Sequence, residues 1–317
     1  MTTFAYYFNS MIRIIKTTKS SENGILSENQ SEKGLLPCKW MLFVAVFILS
    51  HSCWTNITTD RNPSGYFLDN YSYSNKYLDI SAETENARAT HWKPDGSIVF
   101  ITGRYTNNVA AYTLAEPWEI SSATFLHDVV VPGEYQHGLF IKPDGERMWI
   151  FDRTSIWELD LDTPWDITTI FETRNIYMGD FVVRGHDIDF TPGGDTLFID
   201  DRNTGAVFAV QLSVPWEVAA GKLVQTLDIS HEQKEVRGIA FIKNGTIMVL
   251  MDTERAELLE YHLQQPYDIA TAKLVNNFNV SQQTLQGRGL SFNADLTSFY
   301  VTGRDEEKVF QYDFKRE

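Results

Sequence analysis

Short apolar, β-rich runs recur along this chain: Ile98-Val-Phe-Ile101, Met148-Trp-Ile-Phe151, Leu197-Phe-Ile199, Ile247-Met-Val-Leu-Met251 and Phe299-Tyr-Val301. Apolar on both faces, they predict strands sandwiched between neighbouring sheets. Four of them follow a turn signal, Pro94-Asp-Gly96, Pro143-Asp-Gly145, Pro192-Gly-Gly194 or Asn244-Gly245. Glycine supplies a positive φ there and proline presets the entry, so each predicts a hairpin. Ahead of the turns lies a second kind of segment, a basic residue or histidine followed by small and apolar positions. It reads Arg88-Ala-Thr-His-Trp92, His137-Gly-Leu-Phe-Ile141, His186-Asp-Ile-Asp-Phe190, Arg237-Gly-Ile-Ala-Phe241 and Arg288-Gly-Leu-Ser-Phe292. A third kind alternates with period two, as in Leu258-Leu-Glu-Tyr-His-Leu263 and Val309-Phe-Gln-Tyr-Asp-Phe314, which predicts one wetter face.

These segments belong to one unit that repeats. Its clearest marker is proline, aromatic, acid, aliphatic: Pro117-Trp-Glu-Ile120, Pro164-Trp-Asp-Ile167, Pro215-Trp-Glu-Val218 and Pro266-Tyr-Asp-Ile269, the prolines spaced 47, 51 and 51 positions apart. A period near 50 suits one four-stranded propeller blade. The last unit stops after its third strand, at Phe314-Lys-Arg-Glu317, while Tyr77-Leu-Asp-Ile-Ser81 matches the fourth-strand segments Thr226-Leu-Asp-Ile-Ser230 and Asn277-Phe-Asn-Val-Ser281. The expected fold is therefore all-β, a five-bladed β-propeller over residues 77–317, closed by an N-terminal strand that completes the last blade. Residues 55–76 read as a linker, with Gly65-Tyr-Phe-Leu68 as a further edge-strand candidate.

Tyr300-Val-Thr-Gly303 and the Pro-Asp-Gly turns resemble the YVTN and lactonase-like group of propeller repeats. The run Leu161-Asp-Thr-Pro-Trp-Asp-Ile-Thr168 is most similar to the uncharacterised Leu-Ser-Thr-Pro-Trp-Asp-Ile repeats of marine bacterial and phage-associated proteins. The resemblance covers residues 77–314. It implies the propeller architecture and assigns no activity, because propellers host many functions.

With 43% hydrophobic and 13% aromatic residues the chain has ample material for packed cores. The formal charge is −15. The first 54 residues carry five basic and three acidic side chains, so the rest holds −17, which repels a phosphate backbone and argues against nucleic acid as a partner. Residues 1–39 form a polar leader expected to be disordered. Trp40-Met-Leu-Phe-Val-Ala-Val-Phe-Ile-Leu49 is an unbroken apolar run, and residues 40–54 suit a secretory signal or a retained membrane anchor. The expected location is extracytoplasmic, secreted or membrane-attached. Both cysteines, Cys38 and Cys53, lie outside the repeats, so the propeller has no disulfide framework and no thiol nucleophile.

The chemistry-bearing column is the entry to the first strands: Arg88, His137, His186, Arg237 and Arg288. All five are cationic or imidazole, and a closed ring brings them to one mouth of the central channel. There they make an anion site for carboxylate, phosphate or sulfate. The plainer alternative has Asp152, Asp201 and Asp252, which follow the second strands, neutralise the ring as blade-to-blade salt bridges. His137 and His186, with Asp187 and Asp189 nearby, are the candidates for proton transfer. Two imidazoles and a carboxylate also form a metal-ligand set, without diagnostic spacing. No Gly-rich phosphate loop, Gly-x-Ser-x-Gly elbow or His-Glu-x-x-His appears, so no cofactor or metal is expected. Trp118, Trp165 and Trp216, in the repeated turn, read as staples between third and fourth strands and not as a carbohydrate platform. The sequence leaves two readings open. One is a noncatalytic module binding a protein, glycan or small anionic ligand. The other is a hydrolase or lyase acting on a small anionic substrate.

Overall fold

A computed structural model describes residues 65–233 and 235–315, all within the compact unit formed by residues 62–317. The polar leader, the apolar run and both cysteines lie outside the described residues. No helix among the described residues is long and apolar enough to cross a membrane.

Among the described residues twenty strands form five antiparallel four-stranded sheets arranged as the blades of a propeller. β1 (Tyr71–Asp79) opens the series. The first blade holds β2 (Ala87–Trp92), β3 (Ile98–Gly103), β4 (Asn108–Leu114) and β5 (Ala123–Val130). The second holds β6 (Leu139–Ile141), β7 (Arg147–Asp152), β8 (Ser155–Leu161) and β9 (Ile170–Tyr177). β10 (Gly185–Phe190), β11 (Thr196–Asp201), β12 (Ala206–Leu212) and β13 (Gly221–Asp228) make the third. β14 (Val236–Ile242), β15 (Ile247–Asp252), β16 (Glu257–Leu263) and β17 (Ala272–Asn279) make the fourth. The fifth is ordered β1-β20-β19-β18, from β18 (Gly287–Phe292), β19 (Ser298–Gly303) and β20 (Lys308–Phe314). The first strands pack in a circuit, β2 on β6, β6 on β10, β10 on β14, β14 on β18 and β18 on β2.

The hydrophobic cores lie between blades. One joins Trp92, Val99 and Tyr112 to Tyr300 and Val309 of the fifth blade, and another joins Trp149 and Phe151 to Phe190, Leu197 and Phe208. Each fully buried Leu or Phe contributes about 1.5–3 kcal/mol. Since each core draws on two sheets, no blade holds a complete core of its own.

Burial falls from the axis outward. β3 and β15 are almost entirely buried, whereas β5 and β9 alternate between exposed and half-buried positions. The third strands differ from expectation here. β16 is buried on both faces except at His262, and the wet alternation belongs to the fourth strands. The polar residues of the third strands are buried because they cap 3-10 turns of another blade. Glu158 accepts from the Val218 amide at 3.3 Å, and Gln311 accepts from Ile120 at 3.0 Å. Glu260 accepts from Phe67 and Leu68, both at 2.9 Å.

The last contact corrects the linker assignment. Phe67–Asn70 is a 3-10 turn and β1 follows it at once, the same order as Ile120–Ser122 followed by β5. The stretch 55–76 therefore already contains blade structure from Phe67 onward, and Gly65-Tyr-Phe-Leu68 leads into a turn instead of an edge strand. β1 pairs antiparallel with β20 from Tyr71 opposite Phe314 to Asp79 opposite Lys308, ending two residues short of Ser81.

The tryptophans of the repeated turn reach further than third-to-fourth strand staples. The Trp118 amide donates to the Gly96 carbonyl at 3.1 Å, and its ring covers Gly96, where an added Cβ would lie 2.4 Å from the indole nitrogen. Glycine is required there by space as well as by its φ of 74°. In the fifth blade, which has no Pro-Trp turn after its third strand, Leu296 holds the equivalent position at φ 58°. The Tyr71 hydroxyl donates to the Leu296 carbonyl in place of the missing amide.

Candidate functional site

The sequence column maps onto one end of the channel because the first strands break their ladder there. The registers of β2, β10, β14 and β18 with their neighbours shift between Ala87 and Thr90, Gly185 and Ile188, Val236 and Ile239, and Gly287 and Leu290. Each shift spans the ring residue, and a bulge re-aims the side chain it carries. The backbones also approach closely around the axis. A Cβ on Gly238 would lie 2.5 Å from the Arg288 carbonyl oxygen, so a larger residue beside Arg237 would force the first strands apart.

All five ring residues are buried: Arg88 is 2% exposed, His137 1%, His186 3%, Arg237 9% and Arg288 1%. The two imidazoles stack with centroids 4.1 Å apart. His137 Nδ1 lies 3.1 Å from the Gly185 carbonyl, which can only accept, so Nδ1 carries the proton and Nε2 presents a lone pair. Among the described residues neither His137 Nε2 nor His186 Nε2 has a partner. Burial, followed by the Arg88 charge for His137 and by His137 for His186, holds both well below the ordinary imidazole value. They are neutral near pH 7.

Each arginine is fixed by an acceptor two residues before it. Arg88 donates to Asn86 Oδ1, Arg237 Nη2 to Glu235 Oε2 at 2.5 Å, and Arg288 Nη2 to Gln286 Oε1 at 2.7 Å. One acceptor in three is charged. Arg88 Nε and Nη1, Arg237 Nε and Arg288 Nε are buried without partners among the described residues. Burial first, then neighbouring guanidinium groups, push Arg88 down to about 9 and Arg288 to about 7. Arg237 is pushed down to about 10 by burial, with Glu235 opposing. Guanidinium groups keep their protons in proteins, so these depressions express uncompensated positive charge.

The aspartates expected as counter-charges bind backbone. Asp201 Oδ2 accepts from Val183 and Arg184 at 2.6 and 2.8 Å, and its Oδ1 from Asn203 and Thr204 at 2.8 and 3.0 Å. Asp152 accepts from the Glu134 amide at 3.1 Å. Asp252 accepts from the Glu235 and Glu254 amides and lies 3.5 Å from Arg255. They fix loops, and no ion pair joins them to a ring arginine among the described residues.

Asp187 and Asp189 likewise orient no histidine. Asp187 accepts from the Ile188 amide and Asp189 from the Phe190 and Phe241 amides, at 3.0, 2.8 and 2.8 Å. The carboxylate nearest the histidine backbone is Asp200, which takes the His186 and Asp187 amides at 3.1 and 2.8 Å. Among the described residues no group of three His, Cys, Asp or Glu side chains is arranged to hold a metal ion.

A second set of arginines surrounds the ring. Arg104, Arg153, Arg202 and Arg304 hold equivalent positions after the second strands of four blades, and Arg184 precedes His186 by two. All five are half-buried. Arg153 lies over the Tyr135 ring at 3.5 Å and Arg104 over the same ring at 4.7 Å. Glu235 is shared by Arg202 and Arg237, and Arg304 meets Asp305 at 2.5 Å. The Nε atoms of Arg104, Arg153 and Arg184 are buried without partners. The sequence analysis weighed Asp152, Asp201 and Asp252 after the second strands and passed over the arginines that recur in the same loops, Arg104, Arg153, Arg202 and Arg304.

No protein-family model and no curated protein matches this chain. Solved structures similar to it include a protein of unknown function from Desulfotomaculum acetoxidans, 13% identical with TM-score 0.41, over 69% of this chain and 63% of that one. A protein provisionally assigned as a 6-phosphogluconolactonase from Bacteroides uniformis is 13% identical with TM-score 0.44, over 69% and 64%. The periplasmic gluconolactonase of Pseudomonas aeruginosa is 15% identical with TM-score 0.42, over 68% and 64%. The chain thus matches less than two thirds of the length of each.

Proposed function

We propose that this propeller is a binding module whose ligand presents an anionic group to Arg88, Arg237 and Arg288 at the cationic mouth of the channel. The observation that carries this reading is the set of buried guanidinium nitrogens without partners, in a chain of net charge −15. A buried, hydrogen-bond-deficient cation is costly, and a carboxylate, phosphate or sulfate group answers both the charge and the N–H groups. The signal-like or anchor-like segment at residues 40–54 supports an exported or surface-anchored location, which fractionation of the tagged protein tests. Recovery of all of it in the cytosol with an intact N-terminus would remove that basis.

Isothermal titration with acetate, phosphate and sulfate is the direct test of binding. At least one anion should bind the wild type, and Arg88→Gln combined with Arg288→Gln should abolish the heat. Equal binding by the double variant would move the site elsewhere.

The hydrolase or lyase reading draws support from one feature, the His137 Nε2 lone pair beside the arginines, the position of a general base toward an anchored substrate. Its strongly lowered basicity weighs against efficient proton abstraction. Retention of full turnover of any substrate found by both His137→Ala and His186→Ala would end this reading.

A further inference from the structure

Resting on the anion-binding reading, we infer that the ligand is a compact polyanion, with one group held by the inner ring and at least one more held by the outer arginines. Eight guanidinium groups gather at this mouth: Arg88, Arg237 and Arg288 within, and Arg104, Arg153, Arg184, Arg202 and Arg304 around them. The carboxylates bonded to them are Glu235 and Asp305. A single carboxylate, phosphate or sulfate group carries about one or two negative charges, too few to balance eight guanidinium groups. One such group on the inner ring leaves the outer set uncompensated.

The two tiers form one electrostatic unit. Arg104 and Arg304 act on Arg88, Arg304 acts on Arg288, and Arg153 and Arg104 act on Arg184. The outer tier also has its own nitrogens without partners among the described residues, and Arg104 and Arg153 both lie over the Tyr135 ring. The arc is open at the fourth blade. Thr253 stands there in place of arginine and donates to the Gly287 carbonyl at 2.6 Å. A polyanion therefore leans away from the fourth blade, toward the belt running from the fifth blade through the third.

The test compares single and multiple anions at matched ionic strength and pH: orthophosphate against pyrophosphate, and acetate against citrate. If the second group is engaged, at least one multiple anion binds at least about tenfold more tightly than its single counterpart, the gain of an intramolecular second contact. Pyrophosphate gaining more identifies phosphate chemistry, and citrate gaining more identifies carboxylate chemistry. In Arg104→Gln with Arg153→Gln the ratio of multiple to single should fall toward one. Because the wild-type ratio is itself decisive, the inference does not depend on how that variant folds. Single anions that bind with no gain for either multiple anion overturn the two-tier inference while leaving the anion site standing. Absence of binding by all four overturns both.

Discussion

The two ends of the channel are built from the same five first strands, yet they treat their polar groups in opposite ways. At the far end, near the hairpin turns, a cavity of about 300 Å³ is lined by His91, Phe140, Asp189, Phe241, Ser291 and their neighbours. There the polar groups are taken up between blades. Asp189 reaches the Phe241 amide at 2.8 Å, and Trp92 Nε1 donates to Ser291 Oγ at 3.1 Å. At the near end, a strand length away and so about 10 Å along the axis, the Nε atoms of Arg88, Arg237 and Arg288 and both histidine Nε2 atoms have no partners among the described residues. A repeat that can satisfy its polar groups at one end and leaves them open at the other separates lattice from site.

Both ends exist only while the ring holds. The largest effect is therefore expected from removing residues 67–80, which carry the 3-10 turn bonded to Glu260 and the strand paired with β20. That deletion should expose the β20 edge of the fifth blade and give aggregated or unfolded protein. A monomer with an unchanged cooperative melt would show that the fifth blade does not need β1.

Next in size is Asp189→Ala at the far end. It strands the Phe190 and Phe241 amides in a buried setting and should cost about 2–3 kcal/mol in a denaturant titration. A loss under about 0.5 kcal/mol would mean that the far end is not a lattice.

A smaller effect separates the ends by pH. The folded-state values of His137 and His186 are depressed, so below about pH 6.5 the unfolded chain takes up protons that the folded chain does not. Their contribution to stability is fully present above that pH and is lost as pH falls below it. His137→Gln with His186→Gln should flatten this acid-side slope. Asp189 runs the other way, since burial pushes it up to about 7 and the folded state binds the extra proton between about 4 and 7. An unchanged acid slope in the double histidine variant would assign the loss to other groups.

Much of this was legible in the sequence. Spacing alone equates positions from blade to blade, and so it identified Arg88, His137, His186, Arg237 and Arg288 as one column and set the blade count at five. What spacing does not say is which residue of one blade faces which residue of another. Glu260 meets amides 193 and 192 residues away, so neither the Phe67 turn nor the burial of the third strands could be read from local alternation. The Asp152, Asp201 and Asp252 carboxylates were misjudged for the opposite reason. Asp152 and Asp201 accept from amides of their own and neighbouring loops, and Asp252 adds Arg255 to such amides, so none of the three needs a ring arginine. Glu235, the counter-ion that the ring does have, sits where other blades carry Asn86, Tyr135, Arg184 and Gln286, so no repeat marks it.

The most direct test of the contrast between the ends is thermal denaturation of the wild type and Arg288→Gln, each with and without the anion that titration shows to bind. Without anion, Arg288→Gln should melt roughly 2–4 °C higher, because it removes a buried charge that lacks a counter-ion. With saturating anion the order should reverse, the wild type gaining stability by mass action and the variant gaining little. Wild type more stable in both conditions, with equal shifts on adding anion, would contradict the account and make Arg288 one more partnered member of the lattice.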